Sequence, residues 1–300
     1  MLTFLRNELL DQPVAMKKSP GIILAFALFS CGCSTIGLVY RNADWYLQHK
    51  INSYTTFNSL QKETIRKEVS DYMAWHRKVA LPEYIIFLQN LNGAAQYAGQ
   101  LQAEQITLLR AHLMSLYKKS LVPAIMPVAH MLSSLDSRQI QELGNSLAEE
   151  NQKQEELNVS HDEYLEKRAD KTISFLVWLA GKLSDEQEQK VREMSRHLPV
   201  VSHLILQHRE TNQGRLLALL NGHVGADKIA AFISAWILTP ESTGTSQQQH
   251  AIQSFETVSD EMIAQIHGLL TARQKAHLHK RISSYIEDMQ SLATDMHTAR

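Results

Sequence analysis

The stretch IRKEVSDYMAWHRKV, at residues 65–79, shows the pattern that decides the fold of this chain. Its apolar and aromatic residues recur three or four positions apart, so that they fall on one face of an α-helix, while charged residues fill the opposite face. The spacing predicts an amphipathic α-helix over the whole stretch. The apolar face holds Ile65, Val69, Tyr72, His76 and Val79.

The same helical period returns along most of the chain, for example around Leu113, Ile233 and Tyr285. No run of alternating apolar and polar residues bounded by turn residues is visible, as a β-strand would require. The 300 residues include only 12 Gly and 7 Pro, which are few for a β-rich fold with many turns. We therefore expect an all-α fold, a multi-helix bundle of helical hairpins that forms a single domain over residues 41–300.

Proline positions predict where helices break. Pro82 is expected to end one helix and to start the next, which would make residues 75–84 a structural corner. Pro123 and Pro127 are expected to interrupt an apolar segment. A stretch rich in Thr, Ser, Gly and Pro predicts a flexible loop near residues 239–250.

A short element of the form Leu-(Thr/Ser/Asp)-x-x-Gln occurs three times, and a looser copy at residues 101–105 lacks the short polar residue. That polar residue suits a helix N-cap, whose side chain accepts a hydrogen bond from the amide three positions later. Gln at that later position reaches back to the amide of the N-cap. The predicted caps and their glutamines are Asp136 with Gln139, Ser184 with Gln187, and Thr271 with Gln274.

These elements are similar to the LTxxQ motif of the Spy and CpxP class of periplasmic chaperones. The similarity covers a few residues in each copy. It implies a helical protein with a concave surface that binds unfolded chains. The alternative is that the elements are ordinary helix starts, with no function in common.

Residues 16–34 have the organisation of a bacterial lipoprotein signal peptide. Two lysines precede an apolar run that is too short to cross a bilayer core of roughly 30 Å, and small residues with cysteines follow. Residues 1–15 contain two acidic residues and a proline, which do not fit such a signal. We therefore expect translation to begin at Met16, with residues 1–15 as an upstream extension and with a signal peptide that ends at residue 32.

The two cysteines of the chain, Cys31 and Cys33, both lie at the end of this segment. Gly32 precedes Cys33, as a lipid-attachment cysteine requires, whereas the bulky Phe29 stands two positions before Cys31. We favour acylation of Cys33, with Cys31 as the alternative, and with an ordinary secretory signal or an uncleaved anchor as further alternatives. Residues 33–40 would then be a lipid-anchored tether at the periplasmic face of the outer membrane of a Gram-negative bacterium.

A further set of residues carries a second resemblance: Tyr40, Asp44, Trp45, Trp75, His76, Arg77, Pro82 and Tyr84. Their order resembles a family of Gram-negative lipoproteins that read roughly GCS…Y-N-x-A-D-W, then F-D-L-T-x-x-Q, then W-H-R-x-x-E-L-P-x-Y. The resemblance implies acylation at Cys33 and brings no established activity. Residues 59–63 stand where L-T-x-x-Q is usual, which predicts a degraded first cap, and Ala80 replaces an acidic residue.

The sequence offers no clear catalytic or metal site. Among its 14 histidines, His277 and His279 are two positions apart and therefore point to different helix faces. His76 lies on an apolar face, and a general-base role would need a nearby carboxylate, for which Asp44 is the candidate. We expect a structural role for His76, and we expect no catalytic residues, no metal and no cofactor.

The charges of the chain are balanced, with 30 Lys and Arg against 31 Asp and Glu. A nucleic-acid partner is therefore not expected, because such binders show a strongly basic face. The favoured function is a non-enzymatic lipoprotein that is held to the membrane by acyl chains and that binds protein partners or supports the cell envelope. The alternatives are a tethered chaperone of the LTxxQ type and, less favoured, a metal-dependent or hydrolytic enzyme.

Overall fold

The computed structural model describes residues 35–156 and 161–294 of the chain. These residues are almost entirely helical and contain no β-strand, which confirms the expected all-α fold. Two short segments of other helix types, His76–Ala80 and Pro240–Ser242, lie between the α-helices. In chain order the α-helices are α1 (Thr35–Arg41), α2 (Ala43–Asn52), α3 (Ser59–Trp75), α4 (Leu81–Ala95), α5 (Ala103–Ser133), α6 (Ser137–Glu156), α7 (His161–Ala180), α8 (Asp185–His197), α9 (Ser202–Asn221), α10 (Ala226–Leu238), α11 (Ser246–Leu269) and α12 (Ala272–Thr294).

The largest hydrophobic core, the first core, joins α3, α5, α6, α9 and α10. Ile65 and Val69 of α3 are buried in it, as the period of the 65–79 stretch predicts. They pack with residues from the second half of α5, the start of α6 and the end of α9. The remaining members of this core include Ile125, Ala129, Leu135, Ile140, Leu216, Leu220, Ile229 and Ile233.

A smaller core, the second core, joins α7, α8 and α11. It holds Ile173 of α7, Val191 of α8 and Met262 of α11, together with Leu183 and Leu198 from the connections. Two further clusters pack α4 against α12 and the start of α5 against α11.

A buried carboxylate joins α5 to α11. Asp260 accepts hydrogen bonds from Arg110 Nε at 2.9 Å and Nη2 at 2.8 Å, and from Thr107 Oγ1 at 2.7 Å. A buried charge is tolerated only when it is paired and hydrogen-bonded in this way. Helix α5 also enters the first core, and α11 enters the second core. This contact therefore connects the two cores.

Residues 75–84 do not turn as the expected corner, although Pro82 does stand at the start of the next helix as expected. The backbone stays right-handed helical from α3 through the π-helical segment His76–Ala80 into α4, and Pro82 lies in the first turn after that segment. A proline ring clashes with the carbonyl four residues earlier in an α-helix, and a wider π turn relieves that clash. The extra residue in the turn also rotates the helix face, so that Val79 is exposed although it was predicted on the buried stripe.

The expected interruption at Pro123 and Pro127 is also wrong, because α5 continues through both prolines. A proline inside a helix costs about 3 kcal/mol or more. The neighbouring Ile125 and Ala129 are buried in the first core, and Tyr72 Oη donates a hydrogen bond to the carbonyl oxygen of Ser120 at 3.1 Å. Tertiary packing of this segment offsets the local cost.

The range expected as a loop near residues 239–250 is partly helical, since α11 begins at Ser246. Thr245 Oγ1 accepts a hydrogen bond from the Gln248 amide at 3.2 Å, and Gln248 Oε1 accepts one from the Thr245 amide at 2.9 Å. This capping box fixes the helix start. Arg215 also donates to the carbonyl of Thr243 at 3.1 Å, which holds the preceding turn.

The described part of the predicted tether is helical as well. Residues 35–41 form α1. This helix packs against α12, and its Tyr40 contacts the π-helical segment. The described residues of the range 33–40 are therefore part of the helical body.

Candidate functional site

Helices α3 and α6 begin side by side, each with a complete capping box. Asn58 Oδ1 accepts a hydrogen bond from the Gln61 amide at 2.9 Å, and Gln61 Oε1 accepts one from the Asn58 amide at 3.0 Å. Asp136 and Gln139 make the same two bonds at 2.8 and 3.0 Å. We name Asn58, Gln61, Asp136 and Gln139 the first glutamine corner.

The two glutamines of this corner also bind each other. Gln61 Nε2 donates to Gln139 Oε1 at 3.2 Å, and Gln139 Nε2 donates to Gln61 Oε1 at 2.8 Å. Each Nε2 donates further to a carbonyl two residues before the other helix's N-cap: Gln61 to Ser134 at 3.2 Å and Gln139 to Thr56 at 2.9 Å. The side chains are only 8% and 2% exposed, so this pairing satisfies amides that are shielded from water.

Helices α8 and α12 begin at a second glutamine corner, formed by Ser184, Gln187, Thr271 and Gln274. The Gln187 amide donates to Ser184 Oγ at 3.2 Å, and the Gln274 amide donates to Thr271 Oγ1 at 3.3 Å. The amides of Ser184 and Thr271 donate back to the two glutamine oxygens, both at 2.9 Å. The predicted caps at 136, 184 and 271 therefore occupy helix starts.

The amide pairing of the first corner is repeated in the second. Gln187 and Gln274 donate to each other's Oε1, both at 2.9 Å. Gln187 Nε2 also donates to the carbonyl of Leu269 at 2.7 Å, and Gln274 Nε2 to that of Lys182 at 2.9 Å. These carbonyls again lie two residues before the opposite N-cap.

The chemistry of the glutamine side chain explains this arrangement. Its oxygen accepts two hydrogen bonds, one from its own N-cap amide and one from the partner glutamine, while its nitrogen donates two. A glutamate could accept but not donate, so two glutamates could not form this pair. Each corner thus clamps two remote helix starts together, which is a structural rather than a catalytic task.

The resemblance to the lipoprotein pattern did not identify Asn58 as a helix cap. Residues 59–63 suggested a degraded motif, but the motif stands two residues earlier, as Phe57-Asn58-Ser59-Leu60-Gln61. Asparagine is as good an N-cap as serine or aspartate. An apolar residue followed by Asn and by Gln three positions later was the signal that could have identified it, and Thr245 with Gln248 was missed in the same way.

A carboxylate reinforces the first corner. Glu142 Oε2 accepts hydrogen bonds from the Thr56 amide at 2.7 Å and from Thr55 Oγ1 at 2.9 Å, and Oε1 pairs with Arg138. The Thr56 amide, then the Thr55 hydroxyl, lower the pKa of Glu142 to about 2. In its ionised form, Glu142 therefore holds the chain segment that leads into α3.

His76 lies in the π-helical segment and is enclosed by aromatic rings. Tyr40 Oη lies 2.9 Å from His76 Nδ1. The ring centroids of Tyr40, Tyr72, Trp75 and Tyr84 lie 5.8–6.3 Å from that of the imidazole. Burial lowers the pKa of His76, which favours the neutral imidazole. These contacts connect α1 to the π-helical segment and to α4.

Some residues of the lipoprotein pattern lie outside the group of aromatic rings around His76. The guanidinium of Arg77 lies 5.7 Å from the ring centroid of Tyr40. Asp44 is exposed on α2, and in the described ranges no hydrogen bond or ion pair joins it to His76. Trp45 is also exposed and stacks on His49 at 5.4 Å. The carboxylate that a general-base role of His76 would need is therefore not supplied by Asp44.

The predicted signal peptide and both candidate lipidation residues, Cys31 and Cys33, lie outside the described residues. Within residues 35–156 and 161–294, no group of three or more His, Cys, Asp or Glu side chains is arranged to hold a metal ion. None of the described helices combines the length and the apolar character needed to cross a membrane.

One side of α5 exposes apolar side chains at helical spacing. Leu108, Val122 and Met126 are 71%, 53% and 40% exposed. A groove of about 400 Å³ lies along this side, between α5 and Leu238 at the end of α10, and Lys118 and Lys119 flank it. We name this surface the α5 face; it comprises Leu108, Ala111, Ser115, Val122 and Met126.

A second exposed surface lies where α7 packs on α12. The ring centroids of Phe175 and Trp178 are 5.5 Å apart, and those of Trp178 and Tyr285 are 6.0 Å apart. The Arg281 guanidinium lies 5.2 Å from the Trp178 ring centroid and donates to the Trp178 carbonyl at 2.9 Å. We name Phe175, Trp178, Arg281 and Tyr285 the aromatic patch.

Comparison with known families gives one match. DUF6279, described as a family of unknown function, matches residues 53–233. The match covers more than half of the chain, and it includes the first glutamine corner and the α5 face. No curated protein and no solved structure matches the chain. The chain belongs to the DUF6279 family.

Proposed function

We propose that this DUF6279 protein is a non-enzymatic lipoprotein, acylated at Cys33 and anchored to the outer membrane, whose helical body binds a protein partner in the periplasm. The organisation of residues 16–34 supports the anchor, since a basic start, a short apolar run and a Gly-Cys-Ser sequence follow one another. The α5 face supports partner binding, and it is the observation that carries the proposal.

The α5 face has the properties of a protein-binding surface. Its apolar residues from 108 to 126 extend over about 27 Å of helix, at 1.5 Å for each residue. A row of exposed apolar side chains beside a groove is the kind of surface that a protein partner covers. The groove beside Leu238 adds a concave site for an apolar side chain of the partner.

The anchor is tested by labelling growing Gram-negative cells with radioactive palmitate. The wild-type protein and a Cys31→Ser variant are expected to carry the label and to sediment with the outer membrane. A Cys33→Ser variant is expected to lose both properties. Label that depends on Cys31 would move the modification site, and an unlabelled wild-type protein would refute the anchor.

Partner binding is tested by introducing a photoreactive amino acid at Val122 and, as the matched control, at Leu113. Nine residues separate these positions, so they lie on opposite sides of α5, and both side chains are exposed. We expect one discrete cross-linked protein from position 122 and none from position 113. Equal cross-linking from both positions would contradict a role for the α5 face.

A tethered chaperone of the LTxxQ type is the second candidate, and the two glutamine corners favour it. Their capping boxes resemble the LTxxQ motif in sequence, and both corners use the same amide pairing. A chaperone would suppress the aggregation of a chemically denatured client at near-equal molar ratio, and Val122→Glu would weaken this suppression more than Leu113→Glu. A protein that binds one folded partner would leave the aggregation unchanged.

A further inference from the structure

The aromatic patch is the second large exposed surface of the described chain that packing does not explain. Phe175 and Trp178 are 48% and 46% exposed. Their rings, with Tyr285, form a continuous surface on which Arg281 is stacked. Tryptophan and tyrosine beside a cationic side chain are typical of the boundary between lipid and water.

The sequence around the patch is basic, in contrast to the balanced charge of the whole chain. Residues 171–182 and residues 272–286 contain no Asp or Glu, and the acidic group that acts on the patch is Asp288, near Tyr285. They contribute Lys182, Lys280 and Arg273, whose side chains are exposed. A surface of this charge is complementary to anionic lipid headgroups.

The length of chain between the proposed anchor and the body limits where the body can lie. Cys33 is two residues from Thr35, the first residue of α1. Two residues extend at most about 7 Å, so an acylated Cys33 would hold α1 at the membrane surface. Helix α1 packs on α12, and α12 carries Arg281 and Tyr285 of the patch.

From the exposed rings, the basic surroundings and the short connection to the anchor, we propose that the aromatic patch rests on the lipid surface in which the acyl chains are inserted. The patch then fixes the orientation of the helical body on the membrane, rather than leaving it on a free tether. This inference rests on the proposed acylation of Cys33.

The depth of Trp178 in the membrane tests the proposal. The acylated full-length protein, after natural removal of its signal, is reconstituted into vesicles of phosphatidylethanolamine and phosphatidylglycerol with brominated acyl chains, which quench nearby tryptophans. Wild-type emission is expected to be quenched in part. Trp178→Phe should lower the quenched fraction, since Trp178 is the tryptophan of the patch.

The matched control is Trp236→Phe, because Trp236 packs against the first core and should contribute no quenched emission. The double variant Lys182→Glu/Lys280→Glu should also reduce the quenching, whereas Lys228→Glu on α10 should not. A lipidated protein whose quenching is unchanged by Trp178→Phe overturns this inference alone. If the wild-type protein proves to carry no acyl chains and does not float with the vesicles, the proposed function and this inference are both overturned.

Discussion

The two glutamine corners share one hydrogen-bond pattern, yet they lie in different surroundings. In the first, Gln61 and Gln139 are buried beside the largest core, and Glu142 holds the preceding chain. In the second, Gln274 is buried as deeply as Gln61, but Gln187 is only half-buried beside the smaller core. The caps differ as well, since the first corner uses Asn58 and Asp136 where the second uses two hydroxyl side chains.

This difference separates the geometry of the motif from its contribution to stability. The geometry is the same because the glutamine amide offers the same donors and acceptor at both places. The contribution depends on burial, because water can replace a lost partner at an exposed site but not at a buried one. The same substitution should therefore have unequal effects at the two corners.

The largest effect is expected for Gln139→Ala. This change removes the partner of the Asp136 amide and of the Thr56 carbonyl, and it breaks the pairing with Gln61, at a position where the glutamine is only 2% exposed. We expect the free energy of unfolding to fall by about 2–4 kcal/mol. Gln187→Ala should cost about 1–2 kcal/mol, because solvent reaches that amide. Urea unfolding followed by circular dichroism measures both.

Double variants sharpen this comparison. The pair Gln61→Ala/Gln139→Ala should cost less than the sum of its single changes, since the two amides bind each other. The pair Gln61→Ala/Gln187→Ala joins different corners and should be additive within about 0.5 kcal/mol. Equal costs of Gln139→Ala and Gln187→Ala would show that burial does not distinguish the corners.

A smaller effect is expected for the caps. Ser184→Ala removes the oxygen that accepts the Gln187 amide, and it should lower the free energy of unfolding by about 1 kcal/mol. Ser184→Thr keeps a hydroxyl group and serves as the matched control. If Ser184→Ala left the thermal midpoint unchanged, the hydroxyl bond at the second corner would contribute nothing to stability.

The smallest effect is expected in the pH dependence. The folded-state pKa of Glu142, about 2, lies below its ordinary value of 4.5. Its ionised form therefore stabilises the fold above pH 4.5, and this stabilisation is lost as the pH falls towards 2.

Glu142→Gln should remove that dependence, so that wild-type and variant stabilities converge between pH 4.5 and pH 2. Acid titration of the thermal midpoint measures the difference. Glu186→Gln is the comparison at the second corner, where the pKa of Glu186 is lowered by exposed Lys190 on the same helix. A constant gap between wild type and Glu142→Gln over the whole range would contradict the role of Glu142.

Much of the fold follows from local sequence. The period of residues 65–79 predicted α3 and the burial of Ile65 and Val69, and a cap and its glutamine lie only three positions apart. The local rules failed at prolines. Pro82 and Pro123 lie within continuous helical backbone, because a π turn in one case and burial in the first core in the other compensate for what proline removes.

The candidate surfaces were harder to predict than the helices. Leu108, Val122 and Met126 repeat at the same spacing as core residues, so the sequence does not distinguish the α5 face from a buried one. The sequence around Trp178 likewise does not distinguish an exposed tryptophan from a buried one. Exposure depends on which helix packs against which, and that is a property of the whole bundle.

The sequence by itself determined that the chain is helical and where α6, α8 and α12 begin, and it predicts an export signal over residues 16–34. Only the tertiary structure decided that Gln61 pairs with Gln139 across 78 residues and Gln187 with Gln274 across 87. It also placed α1 on α12 and left the α5 face open. The physical reason is range: capping and helical periodicity act over three or four residues, whereas pairing of distant amides depends on the burial that the packed helices create together.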